Sequence, residues 1–156
     1  MSDPATPPAA SAQTARQLVV LCDGTNNNLT GGRNDTNLIK LAELFARHPN
    51  TARLVHYDPG VGNPGEMPAV TWKDRIDRHI DRSAGLISGR GVYENIRDSY
   101  VFLMRNWRHE RDRIFLFGFS RGAFTARAVA GLINRFGLLE PHLEDLVPTL
   151  MHLYFS

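Results

Sequence analysis

The apolar positions of this chain alternate between short continuous runs and stretches with helical spacing. "QLVVLC" (17–22) is rich in Val and Leu and stops at Asp23 and Gly24, which suits a strand covered on both faces of a parallel sheet. "DGTNNNLTGGRNDT" is a polar loop, and in "NLIKLAELFARH" the residues Leu38, Leu41, Leu44 and Phe45 recur at helical spacing, with Thr36 or Asn37 available as cap. "ARLVHYDPG" predicts a second strand ending in a turn. Gly and Pro break 61–90 into an excursion near one end of the sheet. Val92, Ile96, Tyr100, Leu103 and Trp107 then mark one face of a helix, "RIFLFGF" predicts a third strand, and a last long helix runs from near Arg121 to about Phe136. Strand and helix alternate three times, which predicts an α/β fold with a mostly parallel sheet and crossover helices. No internal repeat is present.

Composition narrows the picture. With 156 residues and 42% apolar content the chain suits one domain or part of one. Residues 1–16, rich in Pro, Ala, Ser and Thr, are expected to form a disordered tail, leaving 17–156 as the folded unit. The formal charge of +2 comes from scattered residues of both signs, so no nucleic-acid partner is expected. A single cysteine, Cys22, excludes an internal disulfide framework and a cysteine-based metal site, and it is expected to be buried. Neither a signal peptide nor an apolar stretch of spanning length occurs, so the chain is expected to be cytoplasmic as synthesised, with export only through a signal-independent secretion system.

The chemistry concentrates in "IFLFGFSRGAFTAR", where an apolar run meets G-x-S-x-G and then small residues. A serine after a strand can simply cap the next helix. A tight strand-to-helix turn with Gly118 and Gly122 flanking Ser120 is, however, the context of a nucleophile elbow, in which a side chain at either glycine would collide with neighbouring backbone. A serine nucleophile needs a base and main-chain donors for the oxyanion. The Arg121 amide is one expected donor, and Gly24 or Thr25, in the loop after the first strand, is the candidate for the second. An ordinary strand-ending turn is the competing reading for Gly24. The "DGT" of residues 23–25 also occurs in a phosphatase nucleophile motif, but Leu21 stands where that motif needs an aspartate. Neither "GGRNDT" nor "GRGVYEN" supplies the Gly-Lys-Ser/Thr ending of a P-loop. This mechanism requires no cofactor and no metal.

"LCDGTNNN", "YDPGVG", "GVYENIRDSYVFLMRNW" and "RIFLFGFSRGAFTARAVAGLINRFGLL" together resemble the uncharacterised α/β-hydrolase domain family that includes the type VI secretion phospholipase effectors. The resemblance runs from about Leu18 to the end. It implies an α/β-hydrolase fold with Ser120 as nucleophile, acting on ester bonds, in some members those of membrane phospholipids. Membrane-surface contact then becomes an expectation. Hydrolases of this fold carry the acid and the histidine after the serine. Here that leaves Glu140, Glu144, Asp145, His142 and His152, all in a stretch that reads as loop and helical start. His56 is the strongest of the earlier histidines, while His48, His79 and His109 read as surface. Asp23 either orients a site group or braces a turn. The expectation is therefore the N-terminal portion of a hydrolase domain, incomplete at its C-terminal end, with acid and His beyond this chain and a partner chain able to complete the fold. The alternative is a catalytically inactive truncated domain acting as a binding partner or remnant.

Overall fold

The computed structural model describes residues 15–24, 35–60 and 89–156. Residues 1–14 of the expected tail, the oxyanion candidate Thr25 and 61–88 of the excursion lie outside the described residues, while Arg16, placed in that tail, is described and bonded to Asp112. Three strands, β1 (Gln17–Cys22), β2 (Arg53–Asp58) and β3 (Arg113–Gly118), form a parallel sheet in the order β2-β1-β3. In this register Cys22 stands between Asp58 and Gly118, so the three strands end on one row. The fold is the expected α/β arrangement, open rather than closed into a barrel.

The helices follow the sequence pattern. α1 (Asn37–Arg47) begins where the Thr36 hydroxyl accepts the Ile39 N–H at 3.2 Å, a side-chain cap that satisfies one of the first-turn amides. It covers the face of the sheet carrying Val19, Leu21 and Tyr57 through Leu38 and Ile39. α2 (Gly89–Asn106) and α3 (Arg121–Phe136) cover the other face, where Leu18, Val20 and Cys22 meet Ile96, Tyr100, Leu103, Met104, Val129 and Leu132. A 3₁₀ turn (Pro141–Leu146) leads into α4 (Val147–Phe155), which adds Val147, Leu150 and Met151 to this core.

The far end of the sheet is clamped by Asp112. Its buried carboxylate accepts the Arg16 N–H (2.9 Å), an Arg16 guanidinium nitrogen (2.7 Å) and the Arg108 N–H (3.1 Å). These bonds, the Arg16 guanidinium first, hold the carboxyl well below the usual range.

β3 is less covered than β1. Phe115 and Phe117 are 37% and 39% exposed, while β1 is buried throughout its apolar run. The cause is lateral. α1 packs over β1 and β2 on that face, and the helix that packs most closely on β3, α3, lies on the other.

Candidate active site

β1 connects to β2 on one side and lies beside β3 on the other. In an open parallel sheet this reversal leaves a crevice at the carboxyl ends of the strands, the usual ligand position. The turn after β3 opens there. Phe119 N–H donates to Cys22 O (3.0 Å), and Gly122 N–H closes a four-residue turn onto Phe119 O (2.9 Å). Within it Ser120 has φ 53° and ψ −120°, the conformation of the first central residue of a type II′ turn (about +60°, −120°), where glycine is the usual occupant. It is the non-glycine residue with positive φ among those described.

The flanking glycines have steric causes. A Cβ on Gly122 would stand 2.0 Å from Cys22 O, and one on Gly118 would stand 2.5 Å from both Ala123 Cα and Gly122 O. The turn can lie this close to β1 only because both positions lack a side chain. Ser120 itself is exposed, and its hydroxyl has no hydrogen-bond partner among the described residues. The Gly122 and Ala123 amides are taken by Phe119 O and Ser120 O, whereas the Arg121 amide has no acceptor among the described residues.

The opposite wall is the exit of β1. Gly24 N–H donates to Asp23 Oδ1 at 2.7 Å, so this candidate oxyanion donor is engaged by its neighbour's carboxylate. Asp23 is fully buried and also receives the Thr36 hydroxyl (2.5 Å) and the Tyr57 hydroxyl (2.9 Å) on Oδ2. Burial, then the charge of Asp23 and the hydrogen bond to it, pushes the Tyr57 phenol upward, so it keeps its proton. Gly60, at φ 79°, brings the exit of β2 against the Asp23 and Gly24 carbonyls.

Two buried groups lie on the α2 and α3 face of the same row. Cys22 is pushed up to about 12, by burial first and by the charge of Asp58 second, which makes it a packing residue rather than a nucleophile. Asp58 has one oxygen on the Gly60 N–H (3.0 Å) and the other, Oδ2, buried with no partner among the described residues. Burial raises its carboxyl to about 7, with the charges of Asp98 and Asp23 adding and the Gly60 bond opposing. The native state therefore holds a proton that the unfolded chain has lost, so this group costs stability as pH rises from the ordinary carboxylate range to about 7. Asp58→Asn is expected to stabilise the protein increasingly with pH, the gain growing by about 1–3 kcal/mol between roughly pH 5 and pH 8 in urea titrations. A gain independent of pH would contradict the shift.

None of the candidate histidines that the structure describes is brought to the serine hydroxyl. His56 stacks on Phe102 (ring centroids 5.1 Å), two strands away from β3 and level with Val20. At about 4.8 Å per strand this places it well beyond hydrogen-bond reach. His142 lies on the surface beside Glu140 (3.3 Å). Among the described residues no group of three His, Cys, Asp or Glu could hold a metal ion. An open groove of about 530 Å³, lined by Ala123, Phe124, Arg127, Ala128, Tyr154 and Phe155, begins on the first turn of α3. The sequence did not single out Asp23 and Asp58 as a pair. Both end apolar runs, which is the one signal they carry.

The fold and the row of strand ends define an open parallel α/β protein with its candidate site at the carboxyl edge of the sheet. The chain belongs to the family of Tle1-like T6SS phospholipase effector catalytic domains, whose model matches residues 16–156. It is also 32% identical over 148 residues to the uncharacterized protein YEL023C of Saccharomyces cerevisiae (strain ATCC 204508 / S288c), covering 94% of this chain and 21% of that relative. The chain thus spans about a fifth of the relative's length. No solved structure matches. Among the described residues no helix is long and apolar enough to cross a membrane.

Proposed function

We propose that this chain carries the nucleophile and part of the oxyanion site of a serine ester hydrolase acting on phospholipid. The observation that carries the proposal is the Ser120 backbone, held at φ 53° and ψ −120° between two glycines that admit no side chain. Such strain persists only where the surroundings enforce it, and it turns the serine hydroxyl outward at the ligand edge of the sheet. In the reaction Ser120 Oγ attacks the ester carbonyl and passes its proton to a histidine base oriented by an acid, neither of which stands at the serine among the described residues. The carbonyl oxygen, now an oxyanion, accepts the free Arg121 amide at the amino end of α3, whose dipole favours negative charge. The second donor comes from Gly24 or Thr25. Since the Gly24 amide is already engaged, Thr25 is the stronger candidate. Departure of the alcohol leaves an acyl-serine, and water then releases the fatty acid.

Family membership supports a phospholipid substrate and export through a type VI system. Exposed Phe119 and Phe124, on either side of Ser120, support contact with a lipid surface. The edge and Phe face of β3, unpaired and half-exposed among the described residues, support a further strand and helix layer there, in a partner chain or a longer protein. The same open edge, with no base at the serine among the described residues, favours the second reading, a hydrolase-like binding domain without turnover. Incubation with phosphatidylethanolamine and phosphatidylglycerol vesicles in imidazole buffer separates the two. Fatty-acid release that disappears in Ser120→Ala supports the enzyme, and release unchanged by that substitution sinks it.

A further inference from the structure

α3 carries a stripe of residues that begins at the serine. Ala123 and Phe124 follow Ser120 by one turn, Arg127 and Ala128 by two and Gly131 by three, the spacing that puts residues on one helix face. The groove of about 530 Å³ runs along the first part of this stripe, with Tyr154 and Phe155 of α4 as its far wall. Gly131 lets that wall close in, because a Cβ there would collide with the Tyr154 hydroxyl and ring. The wall is also held from behind. Phe155 stands edge-on to Tyr154 (ring centroids 4.9 Å) and packs on Tyr93 of α2 (5.8 Å), whose hydroxyl donates to Pro148 O at the start of α4 (3.3 Å).

The chemistry of the groove is one-sided. Phe124, Phe155 and two alanines supply apolar surface, and the polar side chains are the Arg127 guanidinium and the Tyr154 hydroxyl. Neither has a hydrogen-bond or ion-pair partner among the described residues, and no carboxylate among them lines the groove. An apolar trough that offers donors and no anion of its own suits an amphiphile of negative charge. The planar guanidinium fork matches a phosphate in particular. An uncharged apolar segment laid over it would desolvate the cation with nothing to pair it.

The position of the groove agrees with its chemistry. Arg127 lies seven residues beyond Ser120, about 10 Å along the helix axis. Helical side chains lean toward the amino end, so an arginine at this point can reach back over the intervening turn toward the serine. In a glycerophospholipid the ester carbonyl and the phosphate hang from one glycerol, a few bonds apart.

We infer that the groove is the lipid subsite of Ser120: Arg127 and the Tyr154 hydroxyl hold the phosphate of a phospholipid whose ester lies at the serine, and Phe124 and Phe155 cover an acyl chain. The inference rests on the hydrolase reading above, which selects a phospholipid from among the anionic amphiphiles.

The test measures binding by calorimetry in the Ser120→Ala chain, where no turnover intervenes. The probe is monomeric dihexanoylphosphatidylglycerol, with inorganic phosphate and the neutral hexyl glucoside as controls. The phospholipid is expected to bind at least about 10-fold more tightly than either control, and Arg127→Gln to weaken it about 10-fold, the range for a lost charged hydrogen bond. Tyr154→Phe should weaken it about 5-fold, as for a neutral one. Phe155→Ser should weaken the phospholipid and leave inorganic phosphate unchanged. Arg127 and Phe155 are exposed, so their variants should fold. Phospholipid binding indifferent to Arg127→Gln overturns the inference, as does equal binding of the glucoside. Inorganic phosphate bound as tightly as the phospholipid overturns it too, leaving an anion site without a chain. A parent dimer that Phe155→Ser disperses would assign the groove to a second copy and overturn it as well. Absence of ester hydrolysis by the parent chain counts against the hydrolase reading instead, and the binding result stands apart from it.

Discussion

Ser120→Gly is expected to make the protein more stable by about 1–2 kcal/mol while abolishing its reaction with ester substrates and fluorophosphonates. The serine occupies the φ,ψ of a type II′ turn's first central position, where a side chain is strained by about 1–3 kcal/mol and glycine is not. Glycine's greater freedom in the unfolded chain takes back about 0.5–1 kcal/mol. Ser120→Ala removes the same hydroxyl but keeps the Cβ and the strain, so its urea midpoint should stay near the parent's. The pair separates strain from chemistry: both variants are inert, and only the glycine variant gains stability. A glycine variant no more stable than the alanine one would mean that the turn relaxes without the strain described here.

Gly122→Ala should be strongly destabilising. Its Cβ would stand 2.0 Å from Cys22 O and 2.6 Å from Asp23 O, both main-chain atoms of the central strand's end. Cys22 O is itself fixed by the Phe119 N–H, so relief requires β1 and the start of α3 to separate. A cost of about 3 kcal/mol or more follows, at the upper end for overpacking. Gly137→Ala provides the comparison. Its φ of 74° is strained for alanine, but nothing lies within 4 Å of the new methyl, so about 1 kcal/mol is expected. Equal urea midpoints for the two variants would mean that the approach of turn to strand is not tight.

The two glycine sites also show how much was legible in the sequence. The spacing of Gly118, Ser120 and Gly122 after an apolar run announced a tight turn before a helix, and the helix indeed starts at Arg121. β1, β2, α1 and α3 were legible because their periods are local, and Thr36 was legible as a cap because capping acts over three residues. What contacts Gly122 was not, since the atom concerned belongs to Cys22, on a strand far earlier in the chain. The Asp23 cluster was hidden for the same reason. The residue pattern left Asp23 between orienting a site group and bracing a turn, and its partners Thr36 and Tyr57 become neighbours only once α1 and β2 pack beside β1. Asp58 read as part of a turn, and its burial against α2 is a tertiary event. The apolar run of β3 announced a strand but not its half-exposed Phe face, because hydropathy records what a strand can bury and not what is present to cover it.

Ser120 is proposed as a nucleophile poised by its turn and by the Arg121 amide, with no base beside its hydroxyl among the described residues. The most direct measurement is the rate of fluorophosphonate attachment, followed by mass spectrometry, with and without added imidazole. Slow attachment to Ser120 is expected, faster with imidazole acting as the base, and none in Ser120→Ala. Attachment that is indifferent to Ser120→Ala, or no attachment to a folded chain even with imidazole, would contradict it.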